Sequence, residues 1–169
     1  MQQTSDDKRQ NPAKAIITNK DSLLSDIERL VSVPKHAIEI SPKGKTQKIP
    51  NEFILRIRQE IGHSVGMKVL AKKAGGQWFI TLLTDKHVII RQYHYQYNGH
   101  PNPDGNTTGR SHKHFPTKRH PLQENHRDTE SWAYDPGPFP HDFVEAVRLF
   151  CSECNISLEY VQERLELFR

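Results

Sequence analysis

Apolar and polar positions alternate most regularly in the middle of the chain. Met67 to Lys73 and Gln77 to Thr84 read as two strands joined by the turn Ala74-Gly75-Gly76. Asp85-Lys86 makes a tight connection to a third strand, His87 to Tyr97. Connections this short favour an antiparallel meander. Period-two alternation in the third strand puts Tyr93, Tyr95 and Tyr97 on one face and His94 and Gln96 on the other. The pattern then breaks. Asn98 to Gly109 is polar, carries Pro101, Pro103 and the turn dipeptide Asp104-Gly105, and reads as a functional loop or a long hairpin connection. Arg110 to Phe115 predicts a short fourth strand closed by Pro116, and Ser131 to Tyr134 a short edge strand.

Helical spacing marks both ends. Leu23, Ile27, Leu30 and Val31 share one helix face, with Asp21 or Ser22 as N-cap and Pro34 as the stop. Residues 1–20 lack periodicity and read as a mobile tail, and residues 41–50 as a loop. Asn51 to Ile61 fits a helix through Phe53, Ile54, Ile57 and Ile61, or a strand through Phe53, Leu55 and Ile57; the helix is preferred. Beyond the rigid turn Pro136-Gly137-Pro138, Phe139 to Cys154 predicts a helix with Phe143, Val144, Val147 and Phe150 on its apolar stripe and Asn155 as C-cap. Ser157 to Arg169 repeats the spacing and is expected to dock on the domain. The expected architecture is α+β, an antiparallel sheet of three to five strands packed against C-terminal helices. It has a helical N-terminal extension at 21–66 and the α+β domain at 67–169.

The 169 residues suit one domain with a tail. Hydrophobic residues are 34% and charged residues 26%, so the polar content must lie largely in loops and tails. No apolar run approaches the roughly 20 residues of a membrane-spanning helix, and the start has no apolar segment of a secretory signal, so a cytoplasmic protein without a membrane partner is expected. Cys151 and Cys154 form a C-x-x-C without a second ligand pair, and read as thiols packed as small hydrophobes.

The net charge of +4 is compatible with a polyanionic partner, and its distribution sharpens the point. Arg110, Lys113, Lys118, Arg119 and Arg127 face one acid, Glu124, in that window. Eight of the ten histidines lie between His87 and His141. On a strand, His112 and His114 project from the same face with Cβ atoms roughly 6–7 Å apart, and Lys113 points the other way. Such a pair can share one substrate atom or one metal ion. The other histidines of the window, His87, His94, His120, His126 and His141 among them, each read as decoration of a solvated basic surface.

Three functions follow. In metal-independent RNA cleavage, His112 and His114 would share acid and base duty on the ribose 2′-OH and the leaving oxygen. Arg110, Lys118 and Arg119 would hold phosphate, and Tyr93, Tyr95 or Trp132 would stack bases, with no cofactor. Alternatively, His112 and His114 with His100 and Asp104 hold a divalent transition metal, giving a metal-dependent hydrolase or a metal-stabilised domain. The third is a non-catalytic module that binds nucleic acid or protein.

The order His100-Pro101-Asn102-Pro103-Asp104-Gly105, His112-Lys113-His114, Trp132-Ala133-Tyr134 and a helix ending Phe150-Cys151-Ser152-Glu153-Cys154 resembles a family of small bacterial and prophage proteins with an N-P-D-G loop, an H-x-H strand and a W-A-Y segment. It is similar in order to TumE-like toxins of toxin–antitoxin pairs. The resemblance covers about residues 67–156. It implies a toxin-like role in growth inhibition or phage defence with RNA as target, a site centred on His112 and His114 with Asp104 beside them, and an antitoxin or defence-complex protein as partner.

Overall fold

A computed structural model describes residues 27–42, 52–59, 66–85, 89–102, 104–115, 133–134 and 139–168. Residues 27–32 form a helix, α1. Eight strands follow: β1 (Lys35–Pro42), β2 (Glu52–Gln59), β3 (Met67–Ala74), β4 (Gln77–Thr84), β5 (Ile89–Tyr95), β6 (His112–His114), β7 (Ala133–Tyr134) and β8 (Ile156–Ser157). Helix α2 (Phe143–Glu153) precedes β8, and a 3₁₀ turn, the single helical turn α3 (Gln162–Leu165) and a second 3₁₀ turn end the described chain.

All eight strands form one sheet in the order β7-β6-β5-β4-β3-β2-β1-β8. From β7 to β1 the neighbours are antiparallel and consecutive, and β8 alone lies parallel to β1. The meander of β3, β4 and β5 is as the alternation predicts. The rest corrects the expected architecture: the sheet has eight strands, not three to five, it is mixed, and helices are a small part of it. The segment 21–66 is not a helical extension, since it supplies β1 and β2.

Burial explains the second strand. Phe53, Leu55 and Ile57 are buried on one face while Arg56 and Arg58 are exposed on the other, which is strand alternation. Strand β1 escapes a period-two reading because its register shifts between Ala37 and Glu39. Its buried apolar residues, Ala37 and Ile40, are therefore three positions apart.

One face of the sheet carries the core. Phe53, Val69, Trp78, Ile80, Leu82 and Tyr93 pack beneath Phe143, Val147 and Phe150 of α2. Asp142 caps α2, its Oδ1 accepting from the Glu145 amide at 2.9 Å. The terminal segment docks on the same core through Val161, Leu165 and Phe168, the last ring 4.4 Å from that of Phe53. Cys151 and Cys154 are free thiols buried in this layer, and burial pushes Cys154 up to about 11, so both behave as the small hydrophobes expected. Among the described residues no helix is long and apolar enough to cross a membrane.

Lys35 joins the two ends of the chain. Its Nζ donates to the carbonyls of Leu30, Val31 and Val33 at 2.6, 3.0 and 2.5 Å, which satisfies the open C-terminus of α1. Burial draws its ammonium down to about 8, so it stays charged at neutral pH. Its backbone amide donates to Asn155, the left-handed residue (φ 53°) that follows α2. Lys35→Met is expected to cost about 2–4 kcal/mol by leaving three carbonyls with no donor; urea denaturation at pH 7 measures it.

Candidate metal centre

Strand β6 lies antiparallel to β5 with His94 opposite His112 and Gln92 opposite His114. Directly opposed residues of an antiparallel pair place Cβ atoms about 4.5–5.5 Å apart on one face. His94, His112 and His114 therefore converge on the face of the sheet away from α2, and all three are buried. Their ligand-capable nitrogens lie within 4.8 Å of one another. The ring centroids are 4.8 Å apart for His94 and His112, 5.0 Å for His94 and His114, and 4.9 Å for His112 and His114.

A fourth imidazole comes from the segment between the strands, which is a hairpin extension. The Tyr97 amide donates to the Arg110 carbonyl, the Thr108 amide to the His100 carbonyl, and the Asn102 amide to the Asn106 carbonyl. Gly105, at φ 86°, lies at the tip. Gly99 allows this closure, since a Cβ there would sit 2.8 Å from the Thr108 carbonyl oxygen. Asn102 pins the hairpin to the sheet edge: its side chain accepts from the Ala133 amide and donates to the Ala133 carbonyl, both at 2.9 Å. His100 is thereby buried against the trio, its ring 4.8 Å from His114 and 5.9 Å from His112.

Hydrogen bonding assigns part of the proton pattern. His112 Nδ1 lies 3.2 Å from the Gly109 carbonyl and can only donate to it, which leaves the lone pair on Nε2. That Nε2 is 2.9 Å from His94 Nδ1, so without a metal the His94 N–H donates to His112, and for both nitrogens to ligate a metal the His94 proton must sit on Nε2 instead. Two nitrogens of a tetrahedral metal site stand about 3.3 Å apart for metal–nitrogen bonds of about 2.0–2.1 Å, close to this spacing. A carbonyl that fixes one ring nitrogen and directs the other inward is the usual outer partner of a metal-binding imidazole.

Burial first, and the neighbouring imidazoles second, pull His94 down to about 3 and His114 to about 2. His112 is lowered by the same burial, partly opposed by its bond to Gly109. At neutral pH the trio is uncharged, the state in which imidazole ligates a metal.

The structure separates the residues singled out in the sequence. His112 and His114 share a face as expected. His100 joins them, whereas Asp104 stays at the exposed hairpin tip and accepts hydrogen bonds from Asn106. Arg110 lies at the rim, donating to the Gln96 and Tyr97 carbonyls. Tyr93 is fully buried against Phe139 and Phe150, so its ring offers no stacking face. Tyr95 stacks on Trp78 and hydrogen-bonds His141, also on the helix side. Lys113 points the same way, its Nζ 2.8 Å from Glu153 Oε1. Lys118, Arg119 and Trp132, with His87, His120 and His126, lie outside the described residues.

His94 corrects the reading of it as surface decoration, being 6% exposed at the centre of the cluster. Its signal was the H-x-H itself, which needs an opposing residue on the paired strand. Tyr97 also differs. Gln96 adopts φ 52°, which breaks the alternation and brings the Tyr97 ring within 5.1 Å of His94.

A scan against family models, a search of curated proteins and a search of solved structures each find no match to the chain.

The lowered histidines fix the sign of a pH dependence. Between about pH 3 and 6.5 the unfolded chain binds protons at these rings that the folded chain does not, so stability falls as pH falls through that range. Chelator-treated protein is expected to be about 2 kcal/mol less stable at pH 5 than at pH 7 for one such group. Urea denaturation at both pH values checks it, and His94→Phe should reduce the difference by about one group's share while that of His114 remains.

Proposed function

We propose that this chain is a metal-dependent hydrolase in which His94, His112 and His114 hold one transition-metal ion, zinc being the natural match to an all-imidazole set. The observation that carries the reading is the convergence of three buried imidazoles, two from one strand and one from its neighbour, with nitrogens within 4.8 Å. Three protein ligands leave one position of a tetrahedral ion for water, the arrangement of catalytic rather than structural zinc. His94, His112 and His114 would hold the zinc, which would supply a water with a pKa near 7 and a Lewis acid for a phosphoryl or carbonyl oxygen.

The chain's own residues divide the remaining work. Gly109 orients His112 through its carbonyl. The Asn102–Ala133 staple holds the hairpin, and with it His100, against His114 and His112. The same features weigh against the metal-independent mechanism. That mechanism needs one of His112 and His114 as an imidazolium at neutral pH, and burial keeps both neutral. A toxin-like role in growth inhibition or phage defence is compatible with such a centre and rests on the motif order alone.

Elemental analysis of purified protein is expected to give one zinc or similar ion per chain. His94→Ala and His114→Ala should each lower the affinity at least a hundredfold, and chelation should lower the melting temperature. Hydrolysis of bis(p-nitrophenyl) phosphate or p-nitrophenyl acetate should follow metal content. Protein that neither retains metal nor gains stability from added zinc would overturn the reading.

A further inference from the structure

Strand aromatics on the helix side are used in packing, Trp78, Tyr93 and Tyr95 against Phe139, Phe143 or Phe150. Two aromatics lie on the opposite face, and both touch His94. The Phe79 ring is 6.3 Å away, edge to face, and the Tyr97 ring is 5.1 Å away. Both remain accessible, Phe79 in part and Tyr97 to 42%. Both rings therefore border the His94 imidazole on the face away from α2.

Cations continue this rim. Pairing sets Lys72 opposite Phe79, and Phe79 opposite His94, in one row across β3, β4 and β5. Strands are about 4.8 Å apart, so Lys72 stands roughly 10 Å from His94, about one to two nucleotides along a strand. Its Nζ lies 5.8 Å from the Phe79 ring centroid. Further along the same face, beyond Ile54 opposite Leu70, Arg56 lies opposite Lys68, with Arg58 two residues further along β2. On the other side Arg110 is exposed, bonded only to neutral carbonyls of Gln96 and Tyr97. Among the described residues the acids near these cations are Glu52, opposite Lys72, Glu39, paired with Arg56 at 3.2 Å, Asp85, just past the end of β4, and Asp104 at the hairpin tip.

We propose that this rim binds a single-stranded nucleic acid, with bases stacked on Phe79 and Tyr97 and phosphates held by Lys72 and Arg110. Unpaired bases expose the faces that accessible rings require, and alternating aromatic and cationic side chains are how proteins track such strands. A duplex hides its base faces and gains nothing from Phe79 and Tyr97. The proposal deepens the metal-centre reading by naming a phosphodiester as substrate, and rests on it only for cleavage. Hydrolysis there forms one P–O bond from water and breaks the bond to one sugar oxygen, which leaves with a proton; no further reactant is needed.

Fluorescence anisotropy in chelator tests binding apart from cleavage. Labelled 12-nucleotide oligo(U) and oligo(dT) and a 12-base-pair duplex are the probes. The full chain should bind either single strand at least tenfold more tightly than the duplex. Tighter binding of oligo(U) than of oligo(dT) would support RNA as the source, and the reverse DNA. Phe79→Ala and Tyr97→Ala should each weaken binding about tenfold, with Phe79→Trp restoring it. Lys72→Glu and Arg110→Gln should weaken it and flatten its salt dependence. Melting curves confirm that each variant folds. Because the chelator removes any bound metal, binding measured in it is read apart from the metal centre. Absence of single-strand binding, equal binding of the duplex, or binding indifferent to Phe79→Ala in folded protein would overturn it, even if the zinc site is real.

Discussion

The antiparallel register of β5 on β6 decides what this molecule can do. It sets His94 opposite His112 and leaves His114 one strand-step along the same face. A slip of one residue would turn the whole β6 set over and send both imidazoles toward α2, where Lys113 now lies. The register is held from both sides. On the helix face, Lys113 sits 4.4 Å over the Tyr93 ring and pairs with Glu153. Beyond the strand ends, the Tyr97–Arg110 and His100–Thr108 backbone bonds carry the ladder to the Asp104-Gly105 tip. The cluster is thus the product of a packed face and a zipped hairpin together.

Burying four imidazoles on the outer face of a sheet is costly unless each polar nitrogen has a use. Part of the cost is met by bonds among the rings and to Gly109. The remainder appears as the lowered proton affinity of His94 and His114. A ligand that shares their lone pairs offsets the cost, so the depressed basicity and the candidate ion site are two aspects of one arrangement. The three carbonyls gathered by Lys35 at the other end of the sheet obey the same rule with the polarity reversed.

Much of the centre of the sheet is legible in the sequence because its periods are uninterrupted. Met67 to Thr84 alternates cleanly around Gly75-Gly76, and both strands form where the alternation puts them. The errors lie where a local irregularity resets the period. The shift after Ala37 hides β1, and the left-handed Gln96 moves Tyr97 onto the histidine face. In Asn51–Ile61 the helix and strand patterns share Phe53 and Ile57, so only the burial of Leu55 distinguishes them. The H-x-H is visible in sequence because both members are on one strand. From sequence His100 is a candidate ligand beside them, but His94 is not, because its contribution depends on a pairing whose register is a tertiary fact.

The strand order of this open sheet bears on how it forms. β8 lies beside β1, with Ile156 paired to Lys35 across most of the polypeptide, whereas His94 meets His112 within one hairpin. The short-range pairing can assemble early and cheaply, while the edge at β1 must wait until residues 156–157 have been synthesised. A nascent chain on the ribosome would therefore possess its histidine cluster before its eighth strand.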